Sequence, residues 1–313
     1  MSAIKSNLAI IETFPDFKEP GFSIEAYNNF FKTHNIIINA SSTDVFYAEH
    51  WGCFSIKCAF NGDEFYKMQN RLYRVNDDNF LLLNNGQYYS SYIYSKSLVE
   101  SFTLNFTNAF INTVAQAYLQ KPEKNFDNSI VSQNMQIEFV ERFYKHNNNN
   151  VSNIILKIKK LVKNFNSNYK QLLELYYELA FQLLLLQKSM NKEINKVDAC
   201  KYATRKELYK RLHYAKDFID SCYNCDITLD ELAKVSMLNA AYFLREFKKL
   251  FLITPYQYLI QTRLREASHI LATKNIQIAE VCSSIGYEDV CSFTKLFKNY
   301  FGITPEQYKK SFV

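Results

Sequence analysis

The last third of this 313-residue chain contains the same sequence pattern twice, fifty positions apart. The first copy has Phe243, Phe247, Lys248, Phe251, Ile253, Thr254, Pro255, Gln257 and Tyr258, and the second has Phe293, Phe297, Lys298, Phe301, Ile303, Thr304, Pro305, Gln307 and Tyr308. An internal repeat constrains the fold strongly, and two copies are too few for a solenoid. We therefore expect one supersecondary unit that is used twice.

Each copy carries the local signals of two helices joined by a short turn. Thr228 and Glu231 have the spacing of a capping box, and Asn239 is a good N-cap for the helix that follows. The predicted helices span 229–235, 240–251, 255–272, 276–284 and 290–301. A short helix, a turn and a second helix make a helix-turn-helix, and the long helix over 255–272 separates the two copies.

The second helix of each copy has one apolar face and one exposed face. At about 100° per residue, Phe243, Phe247 and Phe251 fall on one side, as do their counterparts fifty positions later. The opposite face carries short side chains and basic side chains. It carries Ala241, Leu244, Arg245 and Lys248 in the first copy and Cys291, Thr294, Lys295 and Lys298 in the second, with Glu246 at the flank as the nearby carboxylate.

This exposed chemistry suits duplex DNA, because an α-helix fits the major groove and its first two turns reach base edges. Arg245 can donate two hydrogen bonds to guanine, Lys295 can donate to the same atoms, and Thr294 can serve either polar edge. Ala241, Leu244, Val290 and Cys291 suit thymine methyls, whereas Lys248, Lys249 and Lys298 suit phosphates. A single Lys or Arg is most simply a solvated surface charge, but recurrence in both copies favours a DNA contact.

The region from about Lys206 to Phe312 resembles the DNA-binding domain of the AraC/XylS family of bacterial transcription regulators. The residues that carry the resemblance include Tyr242, Phe243, Arg245, Phe247, Thr254, Pro255, Arg263, Ala267, Ile285, Gly286, Tyr287, Phe301, Gly302, Thr304 and Pro305. The resemblance implies two recognition helices in successive major grooves. The base-reading positions that it implies are Ala241, Leu244, Arg245, Val290, Cys291, Thr294 and Lys295.

Three residues depart from the family pattern. Met237 stands where Gly is common in the first turn, and Leu252 stands where the second copy has Gly302. If Leu252 has to adopt positive φ, it carries about 1 kcal/mol of strain, so the first unit could end differently. Lys295 replaces the more usual Arg and offers a point charge in place of a fork, which predicts weaker sequence reading by the second unit.

The N-terminal part has the pattern of six to eight short β-strands over about residues 35–106, which predicts a small barrel or a sandwich. Asn61-Gly62 between two such runs is a hairpin signal. The resemblance implies a cupin-like β-barrel here, followed by helices that dimerise. An effector pocket could be lined by Trp51, Tyr88, Tyr89, Tyr92 and Tyr94, although ordinary packing in the barrel explains these aromatic side chains more simply.

The fold predicted is therefore α+β with two domains: a cupin-like barrel with dimerisation helices over 1–190, a polar linker over 191–204, and an all-α double helix-turn-helix over 205–313. Within the first domain, Leu172–Gln187 is apolar over most of its circumference. It is either packed between its own domain and a neighbour, or it forms a dimer interface, and both can hold.

Composition narrows the classes of function. Residues 205–313 hold 16 Lys and Arg against 12 Asp and Glu, within a chain of formal charge +6, which suits an acidic partner. The seven cysteines form no disulfide framework, and Cys222-x-x-Cys225 lacks a zinc partner set. The barrel region has only His34 and His50, so we expect no metal, no cofactor and no catalytic residue. Neither a signal peptide nor an apolar stretch of membrane-spanning length is evident, which predicts a cytoplasmic protein without a membrane partner.

These observations predict a sequence-specific transcription regulator, an activator acting as a homodimer on double-stranded DNA, and not an enzyme. RNA polymerase and a small-molecule effector are further candidate partners. Two alternatives stand beside this prediction. One is a small-molecule sensor in which a ligand in the barrel controls DNA affinity, and the other is a cupin enzyme, which would require a bound metal.

Overall fold

The chain folds into two compact units, Met1–Glu193 and Ile194–Val313. The computed structural model describes residues 8–17, 19–68, 71–119, 138–140, 142–146 and 149–312. The break between the units falls inside the polar segment 191–204. Helix α4 ends at Ile194 and helix α5 begins at Tyr202.

The described part of the first unit is built on one eight-stranded sheet with flanking helices. Its strands are β1 Leu8–Ile11, β2 Asn35–Gly52, β3 Phe54–Phe60, β4 Glu64–Met68, β5 Arg71–Val75, β6 Asn79–Leu83, β7 Gln87–Phe106 and β8 Phe143–Lys145. Its helices are α1 Ile24–Thr33, α2 Asn108–Leu119, α3 Asn150–Val162 and α4 Phe165–Ile194.

Strand β7 organises this sheet because it is long enough to pair with three other strands. It runs antiparallel to β2 from the Ile36–Asn105 pair to the Gly52–Gln87 pair. Along its other edge it pairs with β3 near its end and with β4 near its beginning. The strand order is β1-β2-β7-β3-β6-β8, and β4 carries β5 as a branch.

Three details of the strand prediction differ from the structure. The predicted closed barrel is not found, because the pairings among the described residues run from β1 to β8 without returning. The runs expected as separate short strands merge into β2 and β7, which bend at irregularities between Ser42 and Asp44 and between Tyr47 and His50. Asn61 and Gly62 have positive φ, but β3 and β4 both pair with β7 and form no two-stranded hairpin among the described residues.

Helix α4 packs its apolar stripe inside its own unit. Leu172, Tyr176, Leu179 and Leu183 are fully buried, and the Tyr176 hydroxyl donates to the Ile36 carbonyl of β2 at 3.2 Å. On a second side, α4 meets α2 through two ring pairs, Phe110–Tyr177 at 4.7 Å and Tyr118–Phe181 at 5.0 Å. The wide apolar surface is thus used by the sheet on one side and by α2 on another.

The second unit, as far as the structure describes it, consists of seven helices. They are α5 Tyr202–Cys222, α6 Leu229–Val235, α7 Ala240–Phe251, α8 Pro255–Thr273, α9 Ile278–Ser284, α10 Val290–Phe301 and α11 Pro305–Lys310. The pairs α6–α7 and α9–α10 are the two copies of the repeat, and α8 lies between them in the chain. Thr254 caps the start of α8 and Thr304 caps the start of α11, and each forms a capping box with a Gln at the third helical position.

Candidate nucleic-acid interface

Helices α7 and α10 begin at side chains that satisfy their first backbone N–H groups. Asn239 accepts a hydrogen bond from the Tyr242 amide at 2.8 Å. Asp289 accepts from the Cys291 and Ser292 amides at 3.0 and 2.9 Å. Hydrogen bonds from Ser292, and then from Cys291, hold the pKa of the Asp289 carboxyl below its usual value. Both helix starts are therefore fixed by local contacts.

The apolar faces of α7 and α10 form two equivalent aromatic cores. Phe243, Phe247, Phe293 and Phe297 are all completely buried. Within each core, successive rings of the helix meet edge-on, at 5.4 Å for Phe243–Phe247 and 5.7 Å for Phe293–Phe297. This burial fixes which face of each helix is left to solvent.

The residues predicted to read bases lie on those solvent faces. Ala241, Leu244, Arg245, Val290, Cys291 and Lys295 are exposed, and Thr294 is half-buried. Lys248, Lys249 and Lys298, which were predicted to contact phosphates, are exposed as well. Each set is divided between the two helices, which gives each copy of the repeat an exposed surface with at least two cations.

Glu246 on α7 departs from its expected place at an exposed flank. It is only 4% exposed, its Oε1 accepts a hydrogen bond from Arg245 Nε at 2.9 Å, and Lys249 Nζ forms an ion pair with the same oxygen at 3.4 Å. The Arg245 guanidinium carbon also lies 5.0 Å from the centre of the Tyr242 ring. Spacing in the sequence could have indicated the Glu246–Lys249 pair, but the burial of Glu246 depends on the tertiary packing.

The turns within the two helix-turn-helix copies share one backbone shape with different residues. Met237 has φ 54° and Gly286 has φ 81°. The following amide donates across the turn in both, from Leu238 to the Ala233 carbonyl at 2.9 Å and from Tyr287 to the Cys282 carbonyl at 3.0 Å. Met237 tolerates the left-handed backbone with its side chain 60% exposed.

Gly286 is more constrained than Met237. A Cβ atom at Gly286 would lie 2.7 Å from the Asn224 carbonyl oxygen and 2.9 Å from Nη2 of Arg263. That arginine is buried and donates to the Tyr223 and Cys225 carbonyls at 2.7 and 2.9 Å. Arg263 thereby joins α8 to the segment after α5, next to the turn that contains Gly286.

The residues proposed for an effector pocket do not line one common cavity among those described, although Trp51 and Tyr88 are paired across β2 and β7. Tyr88 and Tyr94 are 59% and 83% exposed, and Tyr92 is half-buried and stacks on Phe65 at 4.9 Å. Trp51 lines one cavity, together with Phe31 and Cys53. Of the five, Tyr89 lines a different cavity that contains two buried charged side chains.

Lys57 and Glu64 are those charged side chains, and sequence reasoning missed both. They are 5% and 4% exposed. Lys57 Nζ donates to the Tyr89 hydroxyl at 2.9 Å, whereas Glu64 Oε2 accepts no hydrogen bond from any residue that the structure describes. Burial lowers the pKa of Lys57 and raises the pKa of Glu64. On β4, Glu64 shares a face with Tyr66 and Met68, which could have indicated a buried position, whereas Lys57 lies on the face of β3 opposite Ile56 and Cys58 and carried no such signal.

No three His, Cys, Asp or Glu side chains in the described ranges are close enough to hold a metal ion. Cys222 ends α5 and Cys225 is exposed, and neither forms a disulfide bond among the described residues. Within the same ranges, no helix combines the length and the apolar character needed to cross a membrane.

Comparison with known proteins places the similarity mainly in the second unit. Residues 232–311 match the family model described as a helix-turn-helix domain. The Msm operon regulatory protein of Streptococcus mutans is 30% identical over 99 residues, which are 32% of this chain and 36% of that protein. The lactose operon transcription activator of Staphylococcus xylosus is 25% identical over 164 residues, 52% of this chain and 55% of that protein.

Two solved structures are also similar. The C-terminal domain of the response regulator yesN from Fusobacterium nucleatum is 34% identical, covers 30% of this chain and 93% of that chain, and has a TM-score of 0.29. The apo form of a ToxT variant from Vibrio cholerae is 14% identical over 88% of this chain and 98% of that chain, with a TM-score of 0.34. The aligned part of the chain spans about a third to just over half of the length of the two operon regulators.

Proposed function

We propose that this protein is a sequence-specific, DNA-binding transcription regulator of the AraC type, because residues 232–311 match a helix-turn-helix family model. The observation that carries the proposal is the repeated geometry of α7 and α10. Each helix has a capped start, an aromatic face with two fully buried phenylalanines and an exposed basic face. Such a helix fits the major groove of B-DNA, with its first turns against base edges.

In this proposal the two helices contact successive major grooves. Arg245 reads a guanine, Lys295 and Thr294 offer weaker polar contacts, and Ala241, Leu244, Val290 and Cys291 face thymine methyls. Lys248, Lys249 and Lys298 neutralise phosphates and fix the register without reading sequence. Activation is the direction that the name of the S. xylosus relative supports. A cupin-like role of the first unit, dimerisation by its helices and contact with RNA polymerase stay predictions from the family resemblance.

Chemical footprinting tests this arrangement on duplexes that the purified chain enriches from a random library. We expect two protected segments on one face of the duplex, with centres about 10 base pairs apart. Methylation of a guanine N7 in one of them should interfere with binding. Protection of a single segment would show that only one helix enters a groove, and equal protection of every duplex would show that the protein does not read sequence.

A second candidate function is a ligand-controlled switch, and the Lys57–Glu64 cavity is the observation that favours it. The cavity measures about 50 Å³ and is lined by Tyr66, Tyr89, Ser91, Ser101 and Thr103 in addition to the two charged residues. One water needs about 10–15 Å³ by the same measure, so this space suits a few waters or a small polar molecule. An unpaired carboxylate oxygen and a buried ammonium group would match a compound with hydroxyl or amino groups.

Thermal unfolding with a panel of small polyols and small amines tests the second candidate. A binding compound should raise the melting temperature of the wild type and have no effect on Lys57→Met, which keeps the aliphatic stem but cannot donate. The compound should also change the affinity for the enriched duplex. A compound that stabilises wild type and Lys57→Met equally binds elsewhere and would count against this cavity.

A further inference from the structure

The environment of Arg245 on α7 has no equivalent on α10. Fifty positions on, Lys295 replaces Arg245, Leu296 replaces Glu246 and Ser292 replaces Tyr242. The carboxylate acceptor and the ring that flank Arg245 are therefore both missing from the second copy. Since the two helices are otherwise built alike, this difference points to a function specific to the first.

Glu246 is an unusual neighbour for a DNA-contacting surface. A carboxylate near phosphates weakens binding, and a buried carboxylate is costly unless it is paired. Here it is paired with two cations on its own helix, with Oε1 at 2.9 Å from Arg245 Nε and 3.4 Å from Lys249 Nζ. The Glu246 side chain is 5% exposed while that of Arg245 is 61% exposed, so a fixed anchor holds a group that faces solvent.

The atoms involved determine what remains for DNA. Arg245 uses Nε–H on Glu246, which leaves the four N–H groups of Nη1 and Nη2. Those two nitrogens form the end of the guanidinium fork that matches O6 and N7 of guanine. The Tyr242 ring lies 5.0 Å from the guanidinium carbon and supports the group from another side.

We propose that Glu246 is a positioning residue for base recognition, which orients the guanidinium of Arg245 so that its Nη1 and Nη2 meet a guanine. The proposal rests on the proposed DNA-binding function. It explains why a carboxylate occupies a helix that faces phosphates. The carboxylate weakens the electrostatic attraction to DNA, but this loss is offset because the Arg245 guanidinium is already oriented for base recognition. Holding a flexible side chain in its bound geometry before binding removes an ordering cost that corresponds to roughly a 2- to 12-fold change in affinity.

Glu246→Leu is the direct test, because Leu296 shows that the fold accommodates leucine at the equivalent position. Binding of Arg245→Ala first identifies the G·C pair at which this variant no longer prefers guanine. The affinity for the enriched duplex is then compared with the affinity for the same duplex carrying A·T at that pair. Glu246→Leu should lower the preference for the guanine duplex by about 2- to 12-fold. Its affinity for unrelated duplex should stay equal or rise, since a negative charge is lost.

Three controls separate positioning from general effects. Glu306→Gln removes an exposed negative charge on α11 and should leave the preference unchanged. Glu246→Gln, whose amide oxygen can still accept from Nε, should retain part of the preference. In the Arg245→Ala background, Glu246→Leu should change the preference no further.

A wild-type preference in Glu246→Leu, or an equal loss in the presence and absence of Arg245, would overturn the proposal. It would also be overturned if Arg245→Ala kept the wild-type preference at every base pair of the enriched duplex. If Glu246→Leu fails to fold, Glu246→Gln decides: a preference equal to that of the wild type would count against positioning, and an intermediate one would support it. Failure of the DNA-binding function itself is distinguishable, because the wild type would then show no preference before any variant is made.

Discussion

Leu252 and Gly302 end α7 and α10 with the same left-handed backbone, although only one of them is glycine. Their φ angles are 64° and 81°, and each donates its backbone N–H to the carbonyl of a lysine four residues earlier, Lys248 or Lys298. Leu252 is 82% exposed, so its side chain gains little from burial. Both copies of the repeat thus have the same left-handed helix end, although this backbone conformation is unfavourable for leucine.

Replacing Leu252 by glycine should stabilise the second unit. A left-handed backbone costs a side chain with Cβ about 1 kcal/mol that glycine does not incur, and the exposed leucine forfeits little packing. We expect Leu252→Gly to raise the free energy of unfolding by about 0.5–1 kcal/mol and Gly302→Leu to lower it by about 1 kcal/mol. Urea unfolding followed by far-UV circular dichroism measures both. Destabilisation by Leu252→Gly would show that the strain is relieved elsewhere.

Gly286 should tolerate substitution far less well than Met237, although both have positive φ. A Cβ at Gly286 would meet the Asn224 carbonyl oxygen at 2.7 Å, in addition to the backbone strain. Gly286→Ala should therefore cost about 1–3 kcal/mol, and Met237→Gly should cost nothing or stabilise slightly. Thermal unfolding of the two variants under identical conditions gives the comparison. Equal effects would mean that Asn224 moves away freely.

The first unit should lose stability in mild acid through His146. Burial, opposed by Asp78, lowers the pKa of His146 from 6.5 to about 4, and its ring lies between Phe60 and Phe80 at 6.1 and 5.2 Å. Between those two pH values the unfolded chain binds more protons than the folded chain, so stability falls as pH falls. From pH 7 to pH 5 the loss from this group is up to about 2 kcal/mol.

His146→Phe should remove that part of the pH dependence, because phenylalanine fits between the same rings and does not titrate. Unfolding of the first unit can be followed by the fluorescence of Trp51, the chain's one tryptophan. Some dependence should persist in the variant, since burial also lowers the pKa of His50. An identical pH profile for wild type and variant would contradict the prediction.

The two helices proposed to read DNA should contribute unequally to sequence selectivity. Arg245 has a guanidinium fork with a fixed anchor, whereas Lys295 has a flexible ammonium group beside Val290 and Cys291. Arg245→Ala should cost about 1–3 kcal/mol of discrimination at one base pair, and Lys295→Ala should cost less. Competition binding with single base-pair variants measures both. Loss of selectivity in Lys295→Ala with full selectivity in Arg245→Ala would reverse the assignment.

Local signals made the second unit predictable. The N-caps Thr228 and Asn239 act within three residues, and α6, α7 and α10 begin and end where the caps and apolar spacing predict, with α8 one residue longer. Nonlocal contacts could not be predicted in the same way. The length of β7 depends on its pairing with β2, β3 and β4, and Asn61 and Gly62 have positive φ without making a hairpin among the described strands.

In the candidate site, too, local features could be predicted from the sequence and nonlocal contacts could not. Helical periodicity predicts which residues face solvent, and the positions predicted to read bases are exposed or half-buried. The role of Glu246 could not be predicted from spacing, since its burial comes from the packing of α7 on the rest of the unit. Lys57 and Glu64 escaped notice because a charged residue in a strand is normally expected on the solvent side.

The salt dependence of DNA affinity tests the central claim most directly. Fluorescence anisotropy should be measured with the enriched duplex and an unrelated duplex across a range of salt concentrations. With at least Lys248, Lys249 and Lys298 on phosphates, the slope of log K against log salt should be about −2.7 or steeper, and each Lys→Ala variant should make it shallower by about 1. The enriched duplex should bind more tightly at every salt concentration. Absence of duplex binding, or an affinity that is indifferent to both salt and sequence, would contradict the claim that this chain is a sequence-specific DNA-binding regulator.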